Sequence, residues 1–181
     1  FLIASIVIKL YDGGPVFYRQ ARCTMNGKVF HIFKFRSMIV DAEKDGKSQP
    51  AADHDPRITP VGRVLRATRL DELPQLIDIL IGNMSLVGPR PERVEHVEKY
   101  TEDLAEFEYR LKVRGGLTGY AQIYGKYNTS PYDKLQLDLI YIQNYSIFLD
   151  IKLILMTIKI MFMKESTEGF SEEQKKEYVD R

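Results

Sequence analysis

The chain has 181 residues, of which 44% are hydrophobic and 28% charged. That length suits one domain with a substantial core. With 26 basic against 25 acidic residues the formal charge is +1, which excludes bulk attraction to nucleic acid; an anion would have to be held by local clustering. The single cysteine, Cys23, excludes an intramolecular disulfide framework, fits a reducing compartment and reads as a small apolar filler.

The sequence opens on Phe1-Leu2-Ile3-Ala4-Ser5-Ile6-Val7-Ile8 without an initiating methionine. This run is shorter than the roughly 20 apolar residues that cross a bilayer. It also lacks the basic leader and cleavage site of a signal peptide. We read residues 1–10 as the end of a truncated N-terminal membrane segment; a buried strand or helix is the alternative. Tyr11-Asp12-Gly13-Gly14-Pro15 is a turn signal. Two extended runs follow, Val16–Arg22 and Lys28–Phe35, and the Asn26-Gly27 pair between them predicts a β-hairpin. Residues 41–58, with Gly46, Pro50 and Pro56, read as a long, mobile polar loop of the kind that forms lids or binding segments.

Helical spacing then predicts a short helix over Gly62–Thr68 and a second from Asp71 to Ile81, ended by Gly82-Asn83. A third helix is expected from about Pro91 to Leu111, carrying Val94, Val97, Leu104, Phe107 and Leu111 and broken by Gly115-Gly116. Segment 117–131 reads as loop with one strand at most, and 132–145 as a further helix. Ile147–Met163 is apolar almost all round, but Lys152 and Lys159, seven apart, share one helix face. Such a helix can lie in a membrane interface with its lysines reaching for head groups, or it can be a core helix with two snorkelling lysines. The tail from Lys164 reads as solvated. With no repeat and no linker, the fold class expected is α+β: one mainly helical domain with a small β-hairpin and interfacial amphipathic helices.

The chemistry concentrates around Asp71 and Glu72. Pro74 is tolerated only in the first turn of a helix, so the predicted second helix must begin near Asp71. That sets Asp71 at or beside an N-cap, at the positive end of the dipole, where a carboxylate stays ionised and a phosphate is welcome. An Asp-Glu pair at a helix start is also common as plain structure. Arginines argue for more. Arg63, Arg66 and Arg69 recur every third residue; Arg57 precedes them, and Lys34 and Arg36 close the hairpin. Arg90 is clamped between Pro89 and Pro91, which lowers the entropic loss of aiming its guanidinium at phosphate oxygens. For Arg63 and Arg66 a solvated face is an equal reading. His31, His54 and His96 have no metal-ligand spacing, and no phosphate-binding glycine loop is present. A metal taking part should be Mg²⁺, with Glu72 as its protein ligand.

Six blocks in order, GGPVFYRQAR at 13–22, FKFRSM at 33–38, DPRITPVGRVLRATRLDELPQL at 55–76, NMSLVGPRPE at 83–92, GGLTGYAQIYG at 115–125 and LDLIY at 137–141, resemble the bacterial monotopic phosphoglycosyl transferases. These are the polyprenyl-phosphate sugar-1-phosphate transferases that start exopolysaccharide, capsule, O-antigen or glycan assembly. The resemblance implies transfer of a sugar 1-phosphate from a UDP-sugar to undecaprenyl phosphate, with release of UMP. It implies Asp71 as the nucleophile of a covalent phosphosugar intermediate, and Glu72 as its partner and Mg²⁺ ligand. Arg90 of the Pro89-Arg90-Pro91 turn would meet the nucleotide or its phosphates, with Asp138 a further acidic position of the site; the basic pattern read above adds Lys34, Arg36, Arg57 and Arg69 as substrate-binding candidates. It also implies a re-entrant N-terminal membrane helix, largely missing from this sequence, and a catalytic domain over 11–165 at the cytoplasmic face of the bacterial inner membrane, followed by a tail over 166–181. It implies no nucleic-acid partner and leaves a homodimer open. The family's usual Pro-Gly before Thr-Gly is Gly115-Gly116 here, and its Trp-Ala-Gln-Val-Asn-Gly is Tyr120–Gly125, so sugar preference is not legible in that loop. A non-catalytic scaffold binding anionic lipid would have little use for an acidic pair inside an arginine-rich patch.

Overall fold

The computed structural model describes residues 1–42, 55–125 and 129–161. The chain forms two compact units, Phe1–Tyr18 with Lys34–Pro74, and Arg19–Phe33 with Gln75–Phe162. It is mostly helical with a small antiparallel hairpin, as the sequence predicts.

The first unit begins with helix α1, Leu2–Asp12, which Gly13 ends in the left-handed region (φ 70) while donating its N–H to the Lys9 carbonyl. Ile8 packs into a core with Phe35 and Leu65. Leu2, Ile3 and Leu10 are 74–80% exposed, so α1 is neither a strand nor wholly buried. The hairpin strands are β1, Phe17–Cys23, and β2, Val29–Phe35. Phe17 stacks on Phe35 with centroids 5.5 Å apart. Helix α2, Pro60–Ala67, starts two residues before the expected Gly62, because Pro60 needs no hydrogen bond in a first turn and the Thr59 hydroxyl caps it by accepting the Gly62 N–H at 2.9 Å. Gly62 is required because a Cβ there would lie 1.8 Å from the Ser37 carbonyl oxygen. Of the predicted long loop, residues 43–54 lie outside the described residues. Its described end is tied down, with Ile58 bridged to Met38 and the Ile39 N–H donated to the Arg57 carbonyl at 2.8 Å.

The expected helix from Asp71 to Ile81 divides. Arg69 turns left-handed (φ 58), Leu70–Glu72 form a 3₁₀ turn, and helix α3 spans only Gln75–Leu80. The reason is Pro74, which has no N–H to continue an α-helix from Asp71. The chain instead makes two i→i+3 bonds, Glu72 N–H to the Arg69 carbonyl and Leu73 N–H to the Leu70 carbonyl, and restarts after the proline.

In the second unit the hairpin turn carries Asn26 and Gly27 at positive φ (58 and 71), as the Asn-Gly signal predicts. Phe30 and Ile32 pack with Met84. Asp78, on α3, is fully buried and accepts the Phe33 N–H at 2.8 Å. The expected third helix is also two pieces: α4, Val94–Asp103, and a 3₁₀ segment, Ala105–Lys112, separated by extended Leu104 (φ −148). Beyond the break, Phe107 is fully buried against the edge of Tyr100 at 5.1 Å.

Two three-residue strands that the periodicity does not resolve, β3 (Ser85–Val87) and β4 (Gly116–Thr118), pair in parallel, Ser85 with Gly116 and Val87 with Thr118. Short helix α5, Tyr120–Tyr124, follows. Helices α6, Pro131–Asn144, and α7, Ile147–Met161, match the last two expectations. Helix α7 has a buried and an exposed side: Leu153 is buried with Val87 and Tyr141, while Ile147, Phe148, Ile151, Leu155 and Ile158 are exposed beside Lys152 and Lys159. Among the described residues no helix is long and apolar enough to cross a membrane. The tail over 166–181 lies outside the described residues.

Candidate active site

In the first unit, α2 ends at Ala67 and the left-handed residue Arg69 swings the chain into the Leu70–Glu72 turn. Arg69 is therefore not a third member of the Arg63–Arg66 helical stripe, which stops with the helix. Left-handed backbone is uncommon for a residue with a Cβ and persists where the surrounding structure over-determines it. The turn leaves Asp71 and Glu72 partly exposed side by side, so neither carboxylate is sealed in the core. Lys34, near the end of β2, donates to Glu72 Oε1 at 2.8 Å, with both side chains about one-sixth exposed (18% and 15%). Strand β2 and the 3₁₀ turn thus bring together three of the residues singled out from sequence.

Arg36 and Arg57 are engaged within the fold. Arg36, 7% exposed, donates to both oxygens of Asp12, to the Pro15 carbonyl at 2.6 Å and to the Met38 carbonyl. Its hydrogen bond, with that of the Gly14 N–H, pulls the Asp12 carboxyl down to about 2. Arg57 forks onto Asp55, Nη2 to Oδ2 at 2.6 Å, and Asp55 is buried. One of these arginines ties down the end of α1, the other the approach to α2. Arg63 is exposed and Arg66 partly so.

In the second unit, the Pro89-Arg90-Pro91 turn follows β3. Prolines cannot donate, so such a turn is held through its carbonyls, and four consecutive ones are. The Pro89 carbonyl accepts from the Gly116 N–H (2.9 Å), Arg90 from Arg110 Nη2 (3.0 Å), Pro91 from Arg22 Nη1 (3.1 Å) and Glu92 from the Cys23 N–H (2.9 Å). The side chain of Arg90 is partly exposed. Asp138 does not face solvent. It is 1% exposed on α6, and its Oδ2 accepts from Arg110 Nε at 3.0 Å and Nη2 at 2.7 Å. Burial pushes its carboxyl up, against the pull of the guanidinium. Beside it, buried Glu92 accepts from Lys134 Nζ at 2.7 Å and lies 3.7 Å from Arg110 Nη1. Burial opposes ionisation of Glu92, yet His96, Lys134 and Arg110 together hold its carboxyl well below the usual range.

The sequence reading missed Arg110, Glu92, Lys134 and the anchoring carboxylates Asp12 and Asp55. One signal was available: Glu92 directly follows the rigid turn, and a carboxylate there needs a partner. Nothing in local spacing points to Arg110.

Hard carboxylate oxygens such as those of Asp71 and Glu72 fit Mg²⁺, which takes one or two carboxylates and completes its shell with water and substrate phosphate. Among the described residues no cluster of three or more His, Cys, Asp or Glu could cage a metal unaided. A cation at the dyad would therefore share its shell with substrate, and Lys34 would have to yield part of Glu72.

The family model described as bacterial sugar transferase matches residues 1–164. The chain is 43% identical over 170 residues to a UDP-glucose:undecaprenyl-phosphate glucose-1-phosphate transferase of Klebsiella pneumoniae, covering 91% of this chain and 36% of that protein. It is 40% identical to an Aeromonas hydrophila UDP-N-acetylgalactosamine-undecaprenyl-phosphate N-acetylgalactosaminephosphotransferase, covering 87% of this chain and 38% of the relative. An uncharacterized sugar transferase of Bacillus subtilis is 38% identical over 92% of this chain and 80% of its own length. The chain thus spans little more than a third of the first two relatives. From the matched motifs and the extent of these matches, the chain belongs to the bacterial sugar transferase family.

Proposed function

We propose that the protein transfers a sugar 1-phosphate from a UDP-sugar to undecaprenyl phosphate at the cytoplasmic face of the bacterial inner membrane, through an ester on Asp71. The observation that carries this reading is the partly exposed Asp71–Glu72 pair, presented by a left-handed arginine and with Lys34 on Glu72. The relatives named for UDP-sugars and undecaprenyl phosphate supply the substrate classes.

In the first displacement an Asp71 carboxylate oxygen attacks the sugar-bearing phosphorus. The bond from that phosphorus to the oxygen bridging the two phosphates breaks, and UMP leaves with the electron pair. In the second, a phosphate oxygen of the lipid attacks the same phosphorus and the aspartyl ester breaks, regenerating the carboxylate and giving a lipid diphosphate sugar. Two displacements let one nucleophile serve a soluble donor and a membrane acceptor in turn. Mg²⁺ held by Glu72 and the diphosphate would supply neutralising charge. In the first unit Lys34 and Arg69 supply cationic donors for phosphate oxygens, and in the second Arg90 offers its guanidinium to nucleotide phosphate, while Arg36, Arg57 and Asp138 serve through the ion pairs they make. The membrane location is supported by the exposed apolar side chains of α1 and, separately, of α7 with its lysines.

The test is UMP release from a panel of UDP-sugars by the protein in vesicles containing undecaprenyl phosphate and Mg²⁺. Release with at least one donor is expected, and an Asp71→Asn variant should lose it by orders of magnitude. An Asp71→Asn enzyme with an unaltered rate refutes the nucleophile. Salt-sensitive vesicle binding with no UMP release from any donor would favour a non-catalytic lipid-binding scaffold.

A further inference from the structure

The Pro89-Arg90-Pro91 turn raises a physical question that its prolines do not answer. Proline fixes φ at positions 89 and 91, and Pro91 confines Arg90 to extended ψ, but within that region ψ still spans about 40° and the tilt of the following peptide is left to its partners. That peptide is what aims the Arg90 side chain. Its carbonyl is held at 3.0 Å by Arg110 Nη2, a side-chain donor, whereas the neighbouring Pro89 and Glu92 carbonyls receive backbone N–H groups. A side-chain donor fixes a carbonyl only as well as it is itself fixed.

Arg110 is fixed on every side the structure records. It is 3% exposed, and its guanidinium lies 4.8 Å from the Phe107 ring centroid. Nε and Nη2 both reach Asp138 Oδ2, and Nη1 lies 3.7 Å from Glu92 Oε1. Lys134 balances Glu92, so two cations and two carboxylates close the group without net charge. A buried, neutralised ion network is weak evidence for stability, because desolvation offsets attraction; its better-attested use is to specify one geometry. Here that geometry ends on the Arg90 carbonyl.

We propose that Arg110, pinned by Asp138, is a positioning residue that sets the aim of Arg90 toward the donor diphosphate. This rests on the reading above in which Arg90 meets nucleotide phosphate. It gives Asp138 a task at one remove from substrate, and it explains why a buried arginine sits behind a turn already stiffened by two prolines. Arg110 needs its planar fork for this, since one nitrogen serves the carbonyl and the carboxylate together while another serves the carboxylate. A lysine cannot reproduce that pattern.

The experiment is a double-mutant cycle read by calorimetric titration of UDP in the presence of Mg²⁺, using the protein in detergent or vesicles. Arg90→Ala should weaken UDP binding about tenfold, the scale of one charge-assisted contact. Arg110→Lys should weaken it several-fold when Arg90 is present and hardly at all in the Arg90→Ala background. Asp138→Asn should behave in the same way, with a smaller effect, and UMP release should show the loss in KM for the UDP-sugar more than in kcat. Equal losses with and without Arg90 would overturn the positioning role while leaving Arg90 as a phosphate ligand. An Arg90→Ala protein that binds UDP like wild type would instead remove the premise, and the inference with it. Should both Arg110→Lys and Asp138→Asn lose the cooperative thermal transition that wild type shows, the network belongs to stability and the proposal fails.

Discussion

Gly62→Ala is the sharpest test of how the first unit is built. A Cβ at this position lies 1.8 Å from the Ser37 carbonyl oxygen, 2.5 Å from its carbon and 2.7 Å from the Ser37 Cα. All three are backbone atoms, so no side-chain rotation relieves the overlap. Ser37 is also held where it is, because its carbonyl accepts the Thr59 N–H at 3.1 Å and Met38 bridges Ile58. Helix propensity favours alanine by about 1 kcal/mol, while overpacking a fixed contact costs about 1–3 kcal/mol and more when backbone must move. The net expectation is a loss of about 2 kcal/mol, or roughly 4–8 °C in Tm for a chain of this size. The control is Gly13→Ala, where a Cβ meets nothing within 4 Å and only the positive φ of 70 is penalised, by about 1 kcal/mol. Thermal melts by circular dichroism compare the two. Since α2 leads through Arg69 into the Asp71 turn, UMP release by Gly62→Ala should fall further than folded fraction explains. A Gly62→Ala protein as stable as wild type would refute the close approach of α2 to Ser37.

Two other outcomes follow from separate features. Arg69→Gly and Arg69→Ala both remove the side chain, but only glycine relieves the left-handed backbone (φ 58), so the glycine variant should be the more stable by about 1 kcal/mol in urea titration while UDP-sugar turnover drops in both; equal stabilities would contradict the strained turn. The Asp12 carboxyl, drawn down to about 2 chiefly by the Arg36 hydrogen bond, contributes stability that is full above the unfolded value of 3.8 and is lost as pH falls through about 2. Melts of Asp12→Asn should therefore show a shallower decline than wild type between those two pH values, and parallel declines would refute the pairing.

Much of the architecture follows from local chemistry that needs no tertiary partner. Asn26-Gly27 dictates the hairpin, Thr59-Pro60 starts α2 and Gly82 ends α3, each through a backbone preference carried by the residue itself. The candidate dyad was legible for a similar reason: adjacent carboxylates before a proline, preceded by arginines, form a pattern within a dozen residues. Where the sequence reading diverged, longer-range effects decided. Helical periodicity runs straight through Pro74 and Leu104, but the proline's missing N–H divides one helix and the extended backbone of Leu104 the other. Strands of three residues, such as β3 and β4, carry too few alternations to register in any pattern.

The sequence alone thus determined the family, the turn and helix-start signals and the acidic pair, because each is written in neighbours along the chain. Tertiary structure alone decided what the charged groups do. Lys34 meets Glu72 across 38 positions, and Arg110 meets Asp138 across 28. Arg36 turns inward to Asp12 across 24. The pairing of a charge depends on which groups folding brings within about 3 Å and removes from water, and one-dimensional spacing does not encode that distance.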